Sequence, residues 1–161
     1  MLFRSRYLPP AGGARAGHRL IQASYDLHPT LVESNYAAAF DLLAVRLRKR
    51  SLVVLFTQLV DDVAAQSVMR LMRGLAPRHL PLFVLFRDLE VDELAEPRAL
   101  APSEAPLDLY VRSAAAEINL WREKVVRDLK AGDALVLHVA PKKLTPTLVS
   151  RYLEIKARQL L

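Results

Sequence analysis

Three short apolar runs, separated by amphipathic stretches, set the pattern of the chain. Ser51 to Thr57 (SLVVLFT), Leu80 to Phe86 (LPLFVLF) and Ala134 to Val139 (ALVLHV) are almost uninterrupted and have polar neighbours. Unbroken runs of this length suit strands buried on both faces, as in parallel sheets flanked by helices. The run at 51 to 57 follows the basic ramp Arg48-Lys49-Arg50 and leads into Gln58, Asp61 and Asp62, and it is read as the central strand. Pro81 restricts the second run, because a proline has no ladder donor and is tolerated only near a strand's start.

Helical periodicity fills the intervals. A first helix is expected from about Arg15 to Leu27, with Leu20, Ile21, Ser24 and Leu27 at helical spacing before His28-Pro29. Ser34 or Asn35 can cap a second, in which Tyr36, Phe40, Leu43 and Leu47 share one face up to about Arg48. Asp61 or Asp62 caps a third, with Val68, Met69, Leu71, Met72 and Leu75 on its apolar side and an end near Gly74. Asp88 to Glu96 is expected to form one or two helical turns. A long helix then starts near Ala105, with Leu107, Val111, Ala114, Ile118, Trp121, Val125 and Leu129 on one stripe and Gly132 as its stop. Thr145-Pro146 opens the last helix. Residues 1 to 10 can hold a short extended segment that Pro9-Pro10 ends. A helix between two buried runs implies a right-handed crossover and parallel pairing. The predicted fold class is therefore α/β: three layers, with an open, mainly parallel sheet and helices on both faces.

Composition narrows the functional classes. At 161 residues the chain fits one domain, residues 1 to 161, and can bury a sizeable core. The absence of cysteine excludes disulfides, thiolate catalysis and Cys-based zinc sites. No apolar run approaches the roughly 20 residues of a membrane helix, and no secretory signal is visible, so a cytoplasmic location is expected. The net charge of +6 is unevenly spread: residues 1 to 50 carry eight basic against three acidic residues, 51 to 110 five against nine, and 111 to 161 ten against five. The Arg46 to Arg50 cluster lies where cations offset the negative end of a helix dipole. No aromatic residues interleave with the basic ones as they do in single-strand binders, so nucleic acid is the secondary expectation, through Arg46 to Arg50 with Arg151, Lys156 and Arg158.

Topology gathers the candidate chemistry at one edge. A helix leading directly into a parallel strand runs antiparallel to it, which puts Ser34 and Asn35 beside Thr57, Gln58 and Asp61. Asp88 ends the next strand on the same carboxyl edge, and Lys142 follows the third. Open α/β sheets place ligand sites there, and helix capping by Ser34, Asp61 or Asp62 is the competing role. The sequence holds no Gly-rich phosphate loop, no HExxH pair and no Gly-x-Ser-x-Gly elbow, and His18, His28, His79 and His138 are scattered. Neither catalysis nor a cofactor is expected.

Several segments carry a family resemblance: Tyr7-Leu8-Pro9-Pro10, Glu33 to Phe40 (ESNYAAAF), Arg50 to Asp61 (RSLVVLFTQLVD), Arg78 to Asp88 (RHLPLFVLFRD) and Val149 to Leu161 (VSRYLEIKARQLL). Together they resemble the von Willebrand factor A-like domain, a Rossmann-type fold, of a bacterial family of uncharacterised function associated with MoxR-type AAA+ ATPases. Domains similar to this one bind a divalent cation through an Asp-x-Ser-x-Ser loop, a Thr or Ser from a second loop and an Asp from a third. By position Ser34 matches the second element and Thr57-Gln58 the third. The chain has no Asp-x-Ser-x-Ser, and Gln58 stands where the resemblance implies Asp, so no tight metal site is expected. The resemblance further implies that the chain lacks the domain's first strand or strands, which would leave the strand at 51 to 57 open to self-association. The expected function is a noncatalytic adaptor for a protein partner, an AAA+ ATPase by resemblance. Its binding edge would comprise Ser34, Asn35, Thr57, Gln58, Asp61 and Asp88.

Overall fold

The computed structural model describes residues 7–9, 11–28, 34–59, 61–96, 106–132 and 134–161. Its elements are helix α1 (Ala14–Ser24), helix α2 (Tyr36–Arg46), strand β1 (Leu52–Thr57), helix α3 (Asp62–Leu75), strand β2 (Leu80–Phe86), helix α4 (Leu89–Ala95), helix α5 (Pro106–Ala131), strand β3 (Leu135–Val139), a 3-10 turn (Pro141–Lys143) and helix α6 (Leu144–Ala157). Most of the expected extended segment at residues 1 to 10 lies outside the described residues.

The fold is α/β: among the described residues an open sheet of three parallel strands has helices around it, in the manner of a Rossmann-like three-layer architecture. The strand order is β1-β2-β3. One expectation is corrected here. Among the described strands, Leu80–Phe86 is the central one and Leu52–Thr57 lies at an edge. An apolar run specifies a buried strand but not how many neighbours it has.

The hydrogen-bond phase explains Pro81. Leu80 N donates to Ser51 O, so Leu80 turns its backbone groups toward β1 and Pro81 turns its own toward β3. Pairing with β3 begins only at Leu82↔Leu135, so the nitrogen without a hydrogen faces the side where the ladder has not yet started.

Paired residues share a face of the sheet. On one face Val53, Phe83 and Leu85 form a cluster with Phe40 of α2, Ala65, Val68, Met72 and Leu75 of α3, and Val125 and Leu129 of α5. On the other face Leu82, Val84 and Val139 are buried, and α6, packed on β3, contributes the buried Ile155. The predicted faces of α2 and α3 match this packing, with Tyr36, Leu43, Leu47, Met69 and Leu71 flanking the cluster.

The stripe on α5 holds only in its second half. Twenty-six residues at 1.5 Å rise give about 39 Å, whereas a seven-residue strand spans about 23 Å. The first turns of α5 therefore run past the carboxyl edge, where α4 packs on them. Leu107 is 69% exposed, Val111 and Ile118 are also exposed, and Ala115, not Ala114, is buried. Among the described residues no helix is long and apolar enough to cross a membrane.

Candidate functional site at the carboxyl edge

Folding consumes much of the polar chemistry at this edge. Asn35 caps α2, its Oδ1 accepting from Ala38 N at 3.0 Å, while Ser34 is exposed beside it. Of the two candidate caps for the helix, the sequence could not choose; the structure assigns the role to Asn35. Asp61 caps α3, accepting from Ala64 N at 2.7 Å. Asp88 caps α4 through a longer contact, 3.4 Å from Val91 N, and lies 3.9 Å from Arg122 Nη2. An acidic cap also suits the positive end of the helix dipole.

Thr57, at the end of β1, is 7% exposed, and its hydroxyl bonds the Tyr36 hydroxyl at 2.7 Å. This bond confirms the antiparallel argument, because the first residue of α2 meets the last residue of β1. Gln58 follows into solvent and lines a shallow crevice with Leu59, Leu85, Phe86, Trp121, Arg122 and His138. The topology thus brings Asn35, Thr57, Gln58 and Asp61 to one edge, with Asp88 on its far side at the end of β2.

Four neighbours were not singled out as site residues from the sequence. Trp121 donates its indole N–H to Asp62 Oδ1 at 2.6 Å, pinning α5 to the start of α3. Arg122 lines the crevice, and its Nη1 is buried without a hydrogen-bond partner. Phe56 and Phe86 stack at the strand ends, with centroids 6.5 Å apart and planes inclined by 19°. A signal existed for the aromatic pair, since each phenylalanine closes its apolar run. Trp121 and Arg122 gave none, because their place depends on which half of α5 covers the sheet.

His138, on β3 opposite Leu85, shares the face of Val136. Burial holds its pKa below the usual imidazole value, and the Arg87 guanidinium adds to this, with Asp92 opposing. Arg87 is in turn held by Asp92 through contacts of 2.9 and 2.6 Å.

The cation that the resemblance implies does not fit these residues. The Thr57 hydroxyl is engaged with Tyr36, the Asp61 carboxylate holds a helix N-terminus, and Gln58 supplies an amide where a hard cation favours a carboxylate. Among the described residues no group of three or more His, Asp or Glu side chains is arranged to hold a metal ion.

The opposite edge is basic. Helices α2, α3 and α5 each lead into a strand, so their last turns, bearing Arg46, Arg73 and Lys130, point to the amino edge. Arg50 Nε donates to Leu160 O at 3.2 Å, which joins the Arg46 to Arg50 cluster to the end of α6. Not all of this charge is uncommitted. Arg46 covers the Tyr7 ring at 4.4 Å, and Arg151 and Arg158 both pair with Glu154.

These features define an open parallel α/β domain with a mixed aromatic and polar carboxyl edge. The chain belongs to the family described as "Protein of unknown function DUF58", whose model matches residues 2–98. No curated protein and no solved structure matches the chain.

Proposed function

We propose that this chain is a noncatalytic protein-binding module, resembling a von Willebrand factor A-like adaptor, that engages its partner through the carboxyl edge without a metal ion. The observation that carries this is the composition of the edge. Exposed Gln58 lines a crevice with Phe86, Trp121 and Arg122, whose Nη1 has no hydrogen-bond partner, and Phe86 in turn stacks on the exposed Phe56. Aromatic and arginine side chains dominate the energetics of protein interfaces. The polar residues with fixed roles, Asn35, Thr57, Asp61 and Asp88, hold the rim in shape, and Ser34 and Gln58 are left to make contacts. A MoxR-type AAA+ ATPase is the partner that the resemblance supports.

The test is capture of a MoxR-type ATPase by the immobilised chain. Phe56→Asp and Gln58→Arg should each reduce capture at least about tenfold, as loss of an interface anchor does. Capture unchanged by both substitutions would remove this edge from the function.

A second reading is favoured by the Arg50 to Leu160 contact, which unites two basic segments at the amino edge. Nucleic acid would bind there through Arg48, Lys49 and Lys156. Its affinity should then fall steeply with salt, and an affinity indifferent to salt would dismiss it.

A further inference from the structure

A guanidinium inside a protein needs acceptors for its donors, and Arg122 is short of them. Its side chain is 17% exposed, its Nη1 is buried without a hydrogen-bond partner, and its Nη2 lies 3.9 Å from the Asp88 carboxylate, beyond hydrogen-bond reach. Asp88 is itself committed to the start of α4, where it accepts from Val91 N. A buried donor left unpaired costs free energy, so the side chain gains by turning toward an acceptor that arrives. No hydrogen bond to Asp88 has to break for it to do so.

The surroundings define that acceptor. Arg122 lines the crevice at the carboxyl edge together with Phe86, Trp121, His138 and the buried Leu59 and Leu85. The aromatic walls are held in place, Trp121 by its bond to Asp62 and Phe86 by stacking on Phe56. The local field is positive. After burial, the charges of Arg87, Arg122 and Lys130 disfavour a proton on His138, against the opposing charge of Asp92. Apolar walls around a planar, positively charged donor suit a carboxylate that has an apolar neighbour. The crevice is too open to enclose a free small molecule, whose sites bury most of the ligand's surface. A carboxylate presented by a protein surface needs no such enclosure.

We infer that this crevice takes an acidic side chain of the protein partner, its carboxylate on the Arg122 guanidinium and an adjoining apolar residue against Trp121 and Phe86. The inference rests on the protein-binding reading above and specifies which part of the partner enters the edge. The planar fork of Arg122 can hold both carboxylate oxygens at once. His138 lies near enough to sense the added charge, since the charge of Arg122 already acts on it.

His138 therefore supplies a readout that a purely structural role of Arg122 would not move. The probes are the acetylated dipeptide amides Glu-Leu and Gln-Leu, alike but for charge, and NMR follows the titration of His138 in the full chain. The Glu-Leu peptide should raise the His138 midpoint above that seen with Gln-Leu, and the two midpoints should coincide in Arg122→Met. Without peptide, Arg122→Met should raise the midpoint, because one of the charges that lower it is gone. Capture of a MoxR-type ATPase should weaken at least about thirtyfold in Arg122→Met, as loss of one member of a buried charge pair does, and less in Arg122→Lys, which keeps the charge without the fork. Circular dichroism checks that both variants are folded. Capture that responds to Phe56→Asp but not to Arg122→Met would overturn the inference and leave the protein-binding reading standing. If the parent chain captures no ATPase, that partner is removed and the peptides decide. Equal His138 midpoints with the two peptides in the parent chain would overturn the inference, as would an equal rise with inorganic phosphate, which would make the crevice a general anion site.

Discussion

β1 and β2 read almost alike in sequence yet hold unlike positions. Both are short apolar runs with aromatic residues near the end. In β2, Leu82, Phe83 and Val84 are completely buried, because a strand lies on each side and helices cover each face. In β1 the described structure supplies one neighbour, and Phe56 is 49% exposed. A run of apolar residues thus encodes the tendency to be a strand, whereas its burial is set by partners that the run does not name. β2 is the strand around which the core is organised. β1 belongs to the core through Val53 and Leu55, and to the surface through Val54, Phe56 and the loop that begins at Gln58.

The sharpest way to break this contrast is to truncate the two phenylalanines. Phe83→Ala should cost about 3–5 kcal/mol of stability, because it opens a cavity in a site sealed on all sides. Phe56→Ala should cost less than about 1.5 kcal/mol, since half of its ring already meets solvent. Urea unfolding of both variants gives the comparison, and equal losses would mean that the strands are not different. A smaller effect is expected where the end of β1 is fastened. Tyr36→Phe removes the partner of the buried Thr57 hydroxyl and should cost about 1–2 kcal/mol by the same method. No loss would show that this bond does not hold α2 to β1.

The smallest effect concerns pH and the strand on the other side of β2. Burial and then Arg87 hold the His138 pKa below 6.5, so the folded chain binds a proton there less readily than the unfolded chain. The unfolded state therefore carries more protons just below pH 6.5, and stability falls as pH is lowered through that value toward the depressed one. His138→Asn should flatten this part of the stability profile. An NMR titration midpoint of His138 above 6.5 would contradict the sign.

The sequence carried the alternation of elements well because it rests on local physics. The three runs became the three described strands, Asn35 and Asp61, each one of two candidate caps, cap their helices, and Asp88 at the end of β2 proves to be a cap as well. The carboxyl-edge neighbourhood of Thr57 also followed from local reasoning, since a helix joined closely to a strand has to return along it. What was illegible depended on how lengths compare in space. The stripe from Leu107 to Leu129 is continuous in sequence, but the sheet is shorter than the helix, so Leu107, Val111 and Ile118 project beyond it. For the same reason Trp121 and Arg122 reach the edge crevice, where Trp121 bonds Asp62. Among the described strands β1 lies at an edge, as the resemblance implied, although its basic ramp and polar end suggested a centre, since neither feature counts neighbouring strands.

The account's central claim is that the end of β1 makes contacts while β2 makes the fold. Amide hydrogen exchange of the chain alone and with a bound MoxR-type ATPase tests it most directly. β2 should be the slowest segment in both states, and binding should newly protect the amides from Phe56 to Asp61 and around Arg87 and Asp88. Protection confined to Arg48–Arg50 and the end of α6, or fast exchange in β2, would contradict it.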